Sequence, residues 1–152
     1  KDFHRLVTRF GELTGTPVLL NTSFNNNAEP IVQTVEDALT CYLTTELDYL
    51  VIENHLVKRK PHWTSHLPDA VLDFRPTTRL AEHLQITKCR VVTREIFLDY
   101  STGPRASVSS DLFAVVEKAD GRTTLGELGL TEDLHAELYA LWQDRFFTLT
   151  PG

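Results

Sequence analysis

A short apolar run that changes abruptly to polar residues constrains the fold of this chain more than any other feature. Residues 17–20 are apolar, and most of residues 21–27 carry hydroxyl or carboxamide side chains. The pattern predicts a buried strand from Thr16 to Asn21 that ends in a polar turn. Such a turn is rich in donors for phosphate or carbonyl oxygens, whereas an ordinary turn needs only one or two such residues. The alternative is an Asn-rich loop whose side chains satisfy their own backbone.

The residues around this run predict the other elements of the first sixty positions. Apolar side chains recur at helical spacing before it, and Gly15 follows where a left-handed C-terminal cap is expected. The sequence from Thr34 to Asp37 has the form that opens a helix, here ending at about Thr44. Two short β-prone runs, 49–52 and 55–57, predict a hairpin or two offset strands. These elements follow the order α-β-α-β-β, and a unit of about sixty residues is too small by itself to bury a large core.

A change of pattern near residue 60 divides the chain. Residues 61–72 lack periodicity and are predicted as a linker between a domain over 1–60 and one over 73–152. The second domain is predicted to contain, in order, a strand over Val91–Asp99, a helix capped by Ser109 or Ser110, a turn at Asp120 and Gly121, a short helix opened by Thr123 or Thr124, a longer helix capped by Thr131, and a strand over 146–151. This is winged-helix order. The predicted class is α+β, a partial α/β sheet segment followed by a small winged-helix-like domain.

The charge distribution argues against nucleic-acid binding. The chain has 15 Lys and Arg against 21 Asp and Glu, a net charge of −6. In a winged helix the third helix enters the major groove, and here that helix carries mostly acidic residues, namely Glu132, Asp133, Glu137 and Asp144, against the single base Arg145. DNA phosphates would repel it, so we expect no nucleic-acid partner.

Cysteine usage and hydropathy set further limits. Cys41 and Cys89 lie far apart without a partner motif, which favours two reduced thiols over a disulfide. The two histidines of His62-Trp63-x-x-His66 lack a third ligand nearby, so no metal site is expected. No apolar run reaches the roughly 20 residues that span a bilayer, and no signal peptide is recognisable. We therefore expect no membrane partner and a cytoplasmic location, and the absence of any Met suggests a piece of a longer protein.

The polar turn supplies a neutral set of donors. Thr22 and Ser23 carry hydroxyls, and Asn21 and Asn25 carry carboxamides that both donate and accept. These groups can hold phosphate or carbamoyl oxygens. They cannot neutralise a triphosphate, because that requires Lys, Arg or a metal, and the segment has neither Lys nor Arg.

An ordered series of blocks over residues 3–60 resembles a known family. The blocks are Phe10-x-x-x-x-Gly15-x-Pro17-Val-Leu-Leu-Asn-Thr-Ser-Phe-Asn25, Glu29-Pro-Ile-Val32, Asp37-Ala-Leu39 and Leu47-Asp-Tyr-Leu-Val-Ile52. They resemble the C-terminal end of the NodU/CmcH-type carbamoyltransferases, which make O-carbamoyl esters of sugars, antibiotics and nodulation factors. The resemblance implies that the segment belongs to a YrdC-like domain. It also implies that ATP and carbamoyl phosphate are the substrates from which that domain forms carbamoyl-adenylate.

The same resemblance suggests site residues. Thr22 to Asn25 resembles the Thr-Ser-Ala-Asn sequence of YrdC-like domains, which implies that Ser23 and Asn25 contact the nucleotide or the carbamoyl group. With Asn21 and Thr22 they form the predicted substrate- and nucleotide-binding set. Ser23 has no His or acid beside it in sequence, so we expect binding rather than covalent catalysis. The family usually has Gly before Glu29, whereas this chain has Asn26-Asn27-Ala28.

The resemblance places the rest of the family's chemistry elsewhere. The site that carbamoylates the acceptor, with its nucleotide and metal, lies in an N-terminal kinase-like domain, and the Lys and Arg residues of the YrdC-like site lie upstream. We therefore expect no catalytic residue on this chain, no activity of the chain alone, and the remainder of a carbamoyltransferase as its partner.

Residues beyond about 70 lie outside this resemblance. The sequence from Ser109 to Leu128 resembles small winged-helix modules, PqqD-like among them, that hold peptides or carrier proteins in biosynthetic pathways. The alternative function is therefore a non-catalytic docking module for a carrier protein or peptide. An edge strand over Val91–Leu98 could then accept a partner strand. The competing interpretation is that these residues form only a turn and a helix cap.

Overall fold

The computed structural model describes residues 2–25, 31–86, 90–98 and 104–152. The helices in chain order are α1 (Asp2–Thr14), α2 (Val35–Leu43), a 3-10 helix (Trp63–Asp69), α3 (Ser110–Val116), a second 3-10 helix (Glu132–Leu134) and α4 (His135–Gln143). The strands are β1 (Leu50–Ile52), β2 (His55–Val57), β3 (Ala70–Phe74), β4 (Thr78–Ile86), β5 (Arg90–Leu98), β6 (Arg105–Ser107) and β7 (Phe147–Pro151). Helices and small antiparallel sheets confirm the α+β class. Each helix within these ranges is too short or too polar to cross a lipid bilayer.

The first helix, α1, ends as expected but is not covered. Gly15 has φ of 79°, and its N–H donates to the carbonyl of Gly11 at 2.8 Å. Pro17 lies close against the helix. A Cβ atom added at Gly11 would be only 2.6 Å from the Cβ of Pro17. None of the residues of α1 is buried, and its apolar face is exposed to solvent, with exposures of 67% for Phe3, 56% for Leu6 and 71% for Leu13.

The predicted buried strand from Thr16 to Asn21 is wrong. These residues are neither helix nor strand, and Val18 and Leu20 are 67% and 93% exposed. A strand is stabilised by backbone hydrogen bonds to a neighbouring strand and by burial of one face. None of the described strands pairs with this segment, so neither source of stability is present.

The helix α2 and the β1–β2 hairpin form a small apolar cluster. Thr34 and Asp37 form the expected capping box at the start of α2. The cluster consists of the buried residues Ala38, Tyr42 and Leu50 with half-buried neighbours. Leu39, which was expected to face inward, is 36% exposed, whereas Cys41 on the same helix is fully buried. Cys89 lies outside the described residues. The hairpin is confirmed, with Leu50 opposite Val57.

The linker predicted over 61–72 is wrong, because this segment belongs to the larger core. It contains the 3-10 helix Trp63–Asp69 and the start of β3, which pairs antiparallel with β7. Leu67 and Leu72 are 4% and 0% exposed. Proline and the lack of periodicity concealed a short 3-10 helix, in which apolar residues need not recur at α-helical spacing.

The strand predicted over Val91–Asp99 is confirmed as β5, but its expected position at a sheet edge is wrong. β5 pairs with β4 along its whole length and with β6 at residues 95–97. β5 is therefore the central strand, and β4 lies at the edge. A single strand's alternation carries no information on how many neighbours it has, so the sequence left this open.

The helices that follow enclose the core much as expected. Ser109 caps α3, with its hydroxyl accepting from the N–H of Leu112 at 3.2 Å. The carboxylate of Asp120 accepts from the N–H groups of residues 122 and 123, which forms the expected turn with Gly121 at φ 71°. The short helix predicted to open at Thr123 or Thr124 is wrong, since residues 125–129 form turns. The longer helix is confirmed as the second 3-10 helix continued by α4, although Thr131 precedes it without a side-chain cap hydrogen bond. The residues that were expected to face inward are buried, namely Leu134, Leu138, Leu141 and Trp142.

The two halves of the chain meet at the C-terminal end of α2. Leu43 packs against both apolar clusters. The hydroxyl of Tyr139 in α4 donates to the carbonyl of Leu43 at 2.9 Å, and Gln143 Nε2 donates to the carbonyl of Thr44 at 3.3 Å. The end of α2 is thus fixed by side chains from a region about 100 residues further along the chain.

Candidate functional site

The polar turn from Asn21 to Asn25 lies at the surface. Asn21, Thr22 and Ser23 are exposed, whereas Asn25 is half-buried. The four residues predicted as a binding set therefore lie together on one segment, with three side chains open to solvent. Asn26, Asn27 and Ala28, where the chain departs from the resembled family, lie outside the described residues, as do Glu29 and Pro30.

A hydrogen bond and an apolar anchor hold the turn in place. The N–H of Val32 donates to the carbonyl of Phe24 at 3.0 Å, which closes the loop that the turn begins. Phe24 is half-buried and packs against the small cluster that includes Ala38 and Tyr42 of α2. Because alternate residues of an extended chain point to opposite sides, anchoring Phe24 inward favours solvent exposure of Ser23. The sequence pattern identified the polar residues but assigned no role to Phe24.

The capping box fixes the start of the helix that supports the turn. The N–H of Thr34 donates to Asp37 Oδ2 at 3.0 Å, and the N–H of Asp37 donates to Thr34 Oγ1 at 3.0 Å. The hydroxyl of Thr34, followed by its backbone N–H, lowers the pKa of Asp37 from its ordinary value. Asp37 is therefore an anionic cap on the positive end of α2, which explains its place in the sequence without a catalytic role.

A contact between Tyr42 and Arg59 holds the C-terminal end of α2, and sequence reasoning missed it. The Arg59 guanidinium lies 5.0 Å from the ring centre of Tyr42 and donates to the carbonyl of Tyr42 at 2.5 Å and to the carbonyl of Thr45. The N–H of Arg59 donates to the Tyr42 hydroxyl, which in turn donates to the carbonyl of Asp48. Arg59 thus satisfies the C-terminal carbonyls of α2, and no local sequence signal distinguishes it from its neighbours Lys58 and Lys60.

The described ranges offer no assembled metal site, since they contain no group of three His, Cys, Asp or Glu side chains placed to hold an ion. His62 and His66, the pair with ligand-like spacing, are both exposed. His66 Nδ1 lies 3.4 Å from Asp69 Oδ2, and His62 adopts a left-handed φ of 56° at the start of the 3-10 helix.

Chemically, the turn presents neutral donors on an open surface. Hydroxyl and carboxamide groups can donate to the oxygens of a phosphate or carbamoyl group, and backbone N–H groups of an extended turn can add to them. Exposed donors of this kind bind weakly by themselves, because water competes for each hydrogen bond. They bind strongly only when another surface excludes water and supplies positive charge.

Comparison with known proteins identifies the first part of the chain. Residues 1–59 match the family model described as the carbamoyltransferase C-terminus. An uncharacterized protein of Synechocystis is 49% identical over 57 residues, which cover 38% of this chain and 9% of that protein. The coarse prediction of a carbamoyltransferase C-terminal segment is confirmed, while the YrdC-like and PqqD-like details stay predictions.

Two relatives match nearly the whole chain. The nodulation protein NolO of Bradyrhizobium diazoefficiens is 37% identical over 96% of this chain, and the nodulation protein NolNO of Sinorhizobium fredii is 34% identical over 98%. The chain spans only 28% and 23% of their respective lengths. Both halves of this chain therefore have counterparts together in longer proteins.

Proposed function

We propose that this chain is the C-terminal part of a carbamoyltransferase, in which the turn from Asn21 to Asn25 forms one wall of the site that makes carbamoyl-adenylate. The observation that carries the proposal is the family match over residues 1–59, which includes the turn. The exposure of Thr22 and Ser23 supports it, because donors that meet a ligand must be accessible. ATP and carbamoyl phosphate are the proposed substrates.

In the proposed reaction the turn orients charged oxygens. A carbamate oxygen becomes bonded to the α-phosphorus of ATP and pyrophosphate departs, while carbamoyl phosphate loses its phosphate and one water is consumed. Ser23 and Asn25 donate to the phosphate and carbamoyl oxygens. Hydrogen bonds to charged oxygens hold the two reactants in line, so binding and orientation are the contribution of this chain.

The exposed apolar surface of the first sixty residues supports a partner. Phe3, Leu6 and Leu13 on α1, together with Val18 and Leu20 before the turn, are each more than half exposed. Apolar patches of this kind mark surfaces that another part of a protein covers. The proposed cover is the remainder of the carbamoyltransferase, which also supplies the cations, the acceptor site and the metal of the kinase-like domain.

The test uses the full-length protein and measures ATP–pyrophosphate exchange that depends on carbamoyl phosphate. Ser23→Ala or Asn25→Ala should lower exchange about 10- to 100-fold, the effect of losing one hydrogen bond to a charged group. Ser110→Ala, which removes an exposed hydroxyl on α3, is the matched control and should leave exchange unchanged. Circular dichroism and unfolding curves check that the fold is intact.

Two results would contradict the proposal. Full exchange activity in the folded Ser23→Ala and Asn25→Ala variants would show that the turn is not part of the site. Robust exchange by residues 1–152 alone would show that this chain does not need the proposed partner. ATP would then bind without the cations that the partner is proposed to supply.

A docking module is the second candidate, and an open strand edge favours it. β4 has a neighbour on one side only among the described strands. The ribbon it forms with β5 also exposes Leu84, Val91 and Val92, at 55%, 43% and 42%. An extended peptide could add to β4 through backbone hydrogen bonds. Amide hydrogen exchange of Arg79–Leu84, with and without a carrier protein of the same pathway, should show protection, and unchanged exchange would count against docking there.

A further inference from the structure

A cleft of about 380 Å³ lies where the two halves of the chain meet, away from the polar turn. Its walls come from Leu43 of α2, the 3-10 helix Trp63–Asp69, Trp142 of α4 and the last residues of β7. Both halves contribute to it. Its volume is within the range of sites that hold small organic molecules.

The cleft has an aromatic wall formed by Trp63 and Trp142, and Tyr139 packs against both rings. Trp63 lies 5.4 Å from Tyr139 and 6.1 Å from Trp142 between ring centres, and Tyr139 lies 6.3 Å from Trp142. Trp142 and Leu67 are each 4% exposed, so these walls are held by the core behind them. Such packed rings form a preorganised surface for a flat or aliphatic group, which loses little affinity to rearrangement of the protein.

The rim of the cleft has the opposite character, with one acidic group. Asp69 is the acidic side chain among the lining residues, and none of the described lining residues is Lys or Arg. The nearest titratable neighbour is His66, whose Nδ1 lies 3.4 Å from Asp69 Oδ2. A carboxylate beside an aromatic wall attracts a cation by charge and by the electron-rich face of the indole.

We propose that this cleft binds a small organic cation, with an apolar body against Trp63 and Trp142 and a protonated amine at Asp69. The apolar body gains from leaving water, while the amine stays at the solvent-exposed rim and retains part of its hydration. The site is independent of the proposed carbamoyl-adenylate chemistry, because its walls contain none of the residues of the polar turn.

The chain provides its own reporter for the test. Its two tryptophans, Trp63 and Trp142, both line the cleft. The 152-residue chain is titrated with 2-phenylethylamine, 2-phenylethanol and 3-phenylpropionate. Its indole fluorescence is followed with excitation at a wavelength that phenyl rings do not absorb. The three probes share a body and differ in charge. The amine should bind about three- to fivefold more tightly than the alcohol, as expected for one exposed charge pair, and the acid most weakly.

Matched variants then assign the preference. Asp69→Asn should lower the preference for the amine over the alcohol, although the terminal carboxylate of Gly152 stays in the lining of this chain. Asp73→Asn, a change at an exposed neighbour on β3 outside the lining, should leave the preference intact. Both changes are isosteric and at exposed positions, so the fold is retained.

Three outcomes would overturn the proposal. Equal binding of the three probes would show that the cleft has no preference for a positive charge. If none of the probes changed the indole fluorescence, the cleft would not be a binding site for them. An indole signal that follows protein concentration and not the amine would show that a second copy of this chain covers the cleft instead.

Discussion

The two halves of this chain differ in how much of their apolar surface they cover. Residues 63–152 enclose a continuous core in which Leu112, Leu125, Leu138 and Phe146 have no exposed surface. Among the described residues of 2–59, the apolar cluster is a small one around Tyr42, and the apolar face of α1 lies in solvent. Both halves have amphipathic helices, so the difference lies in the neighbours available to them. A helix pattern predicts which face is apolar, but not what will cover it.

The largest expected effect on stability comes from comparing the same Leu→Ala change on one helix of each half. Leu138→Ala in α4 removes a side chain with no exposed surface and should lower the free energy of unfolding by about 2–5 kcal/mol. Leu13→Ala in α1, where the side chain is 71% exposed, should change it by less than about 0.5 kcal/mol. Urea unfolding of the 152-residue chain measures both. Equal losses would show that α1 is covered in solution.

The same Leu13→Ala change in the full-length protein sharpens the comparison. If the remainder of the carbamoyltransferase covers α1, the leucine becomes buried there, and its loss should cost about 1–3 kcal/mol. Thermal unfolding of the longer protein, compared with the result for this chain alone, measures the difference. A negligible cost in both forms would argue that the face of α1 stays in solvent and would weaken the proposed partner.

Thr34→Ala tests whether the small cluster depends on its helix cap. The change removes the hydroxyl that accepts from the N–H of Asp37 and should cost about 1 kcal/mol. Thr8→Ala on α1, whose hydroxyl donates to the carbonyl of His4 one turn earlier, is the control and should cost less. Chemical denaturation followed by circular dichroism compares the two, and a neutral Thr34→Ala would mean that α2 is held by packing alone.

Tyr139→Phe tests the contact that joins the halves. It removes the hydroxyl that donates to the carbonyl of Leu43 and keeps the ring, so it should cost about 0.5–1.5 kcal/mol. Hydrogen exchange should rise at the C-terminal end of α2 more than within the core of residues 63–152. Uniform acceleration across the chain would indicate that the halves unfold as one unit irrespective of this bond.

Alkaline pH examines the same tyrosine without mutation. Burial raises the pKa of Tyr139 above its ordinary value near 10. A raised pKa in the folded chain means that its stabilising contribution is complete below the ordinary pKa and is lost as pH rises through the higher, folded-state pKa. Stability measured from pH about 9 upward should therefore fall less steeply in Tyr139→Phe than in the unchanged chain. Parallel curves would exclude Tyr139 as the titrating group.

Local signals predicted much of the fold. The capping box of Thr34 and Asp37, the glycine cap at residue 15, the Asp120 turn and the alternation of β5 all act over a few residues, so they can be read from the chain. The polar turn was recognised in the same way, as four residues of suitable chemistry on one segment. Their role as binding residues stays a prediction.

Features that depend on distant neighbours were not readable. Thr16–Asn21 has the composition of a buried strand, yet none of the described strands pairs with it. The segment 61–72 has the composition of a linker, yet Leu67 and Leu72 lie in the core. Phe24 anchors the turn and Arg59 holds the end of α2, both through contacts with α2 that sequence spacing does not reveal.

The amino-acid sequence by itself therefore determined the α+β class, the end of α1, the bounds of α2, the start of α3, the strands β1, β2, β5 and β7, and the polar segment from Asn21 to Asn25. Propensity, capping and turn chemistry are local, whereas β3, β4 and β6 were not predicted. Only the tertiary structure decided which apolar faces are covered, that β5 is central and β4 lies at the edge, and that Leu43, Trp63 and Trp142 meet in one cleft. Burial and strand pairing join residues that are far apart in the chain. The free energy gained from burial and pairing depends on which two surfaces come together, and the local order of residues in one surface does not specify the other.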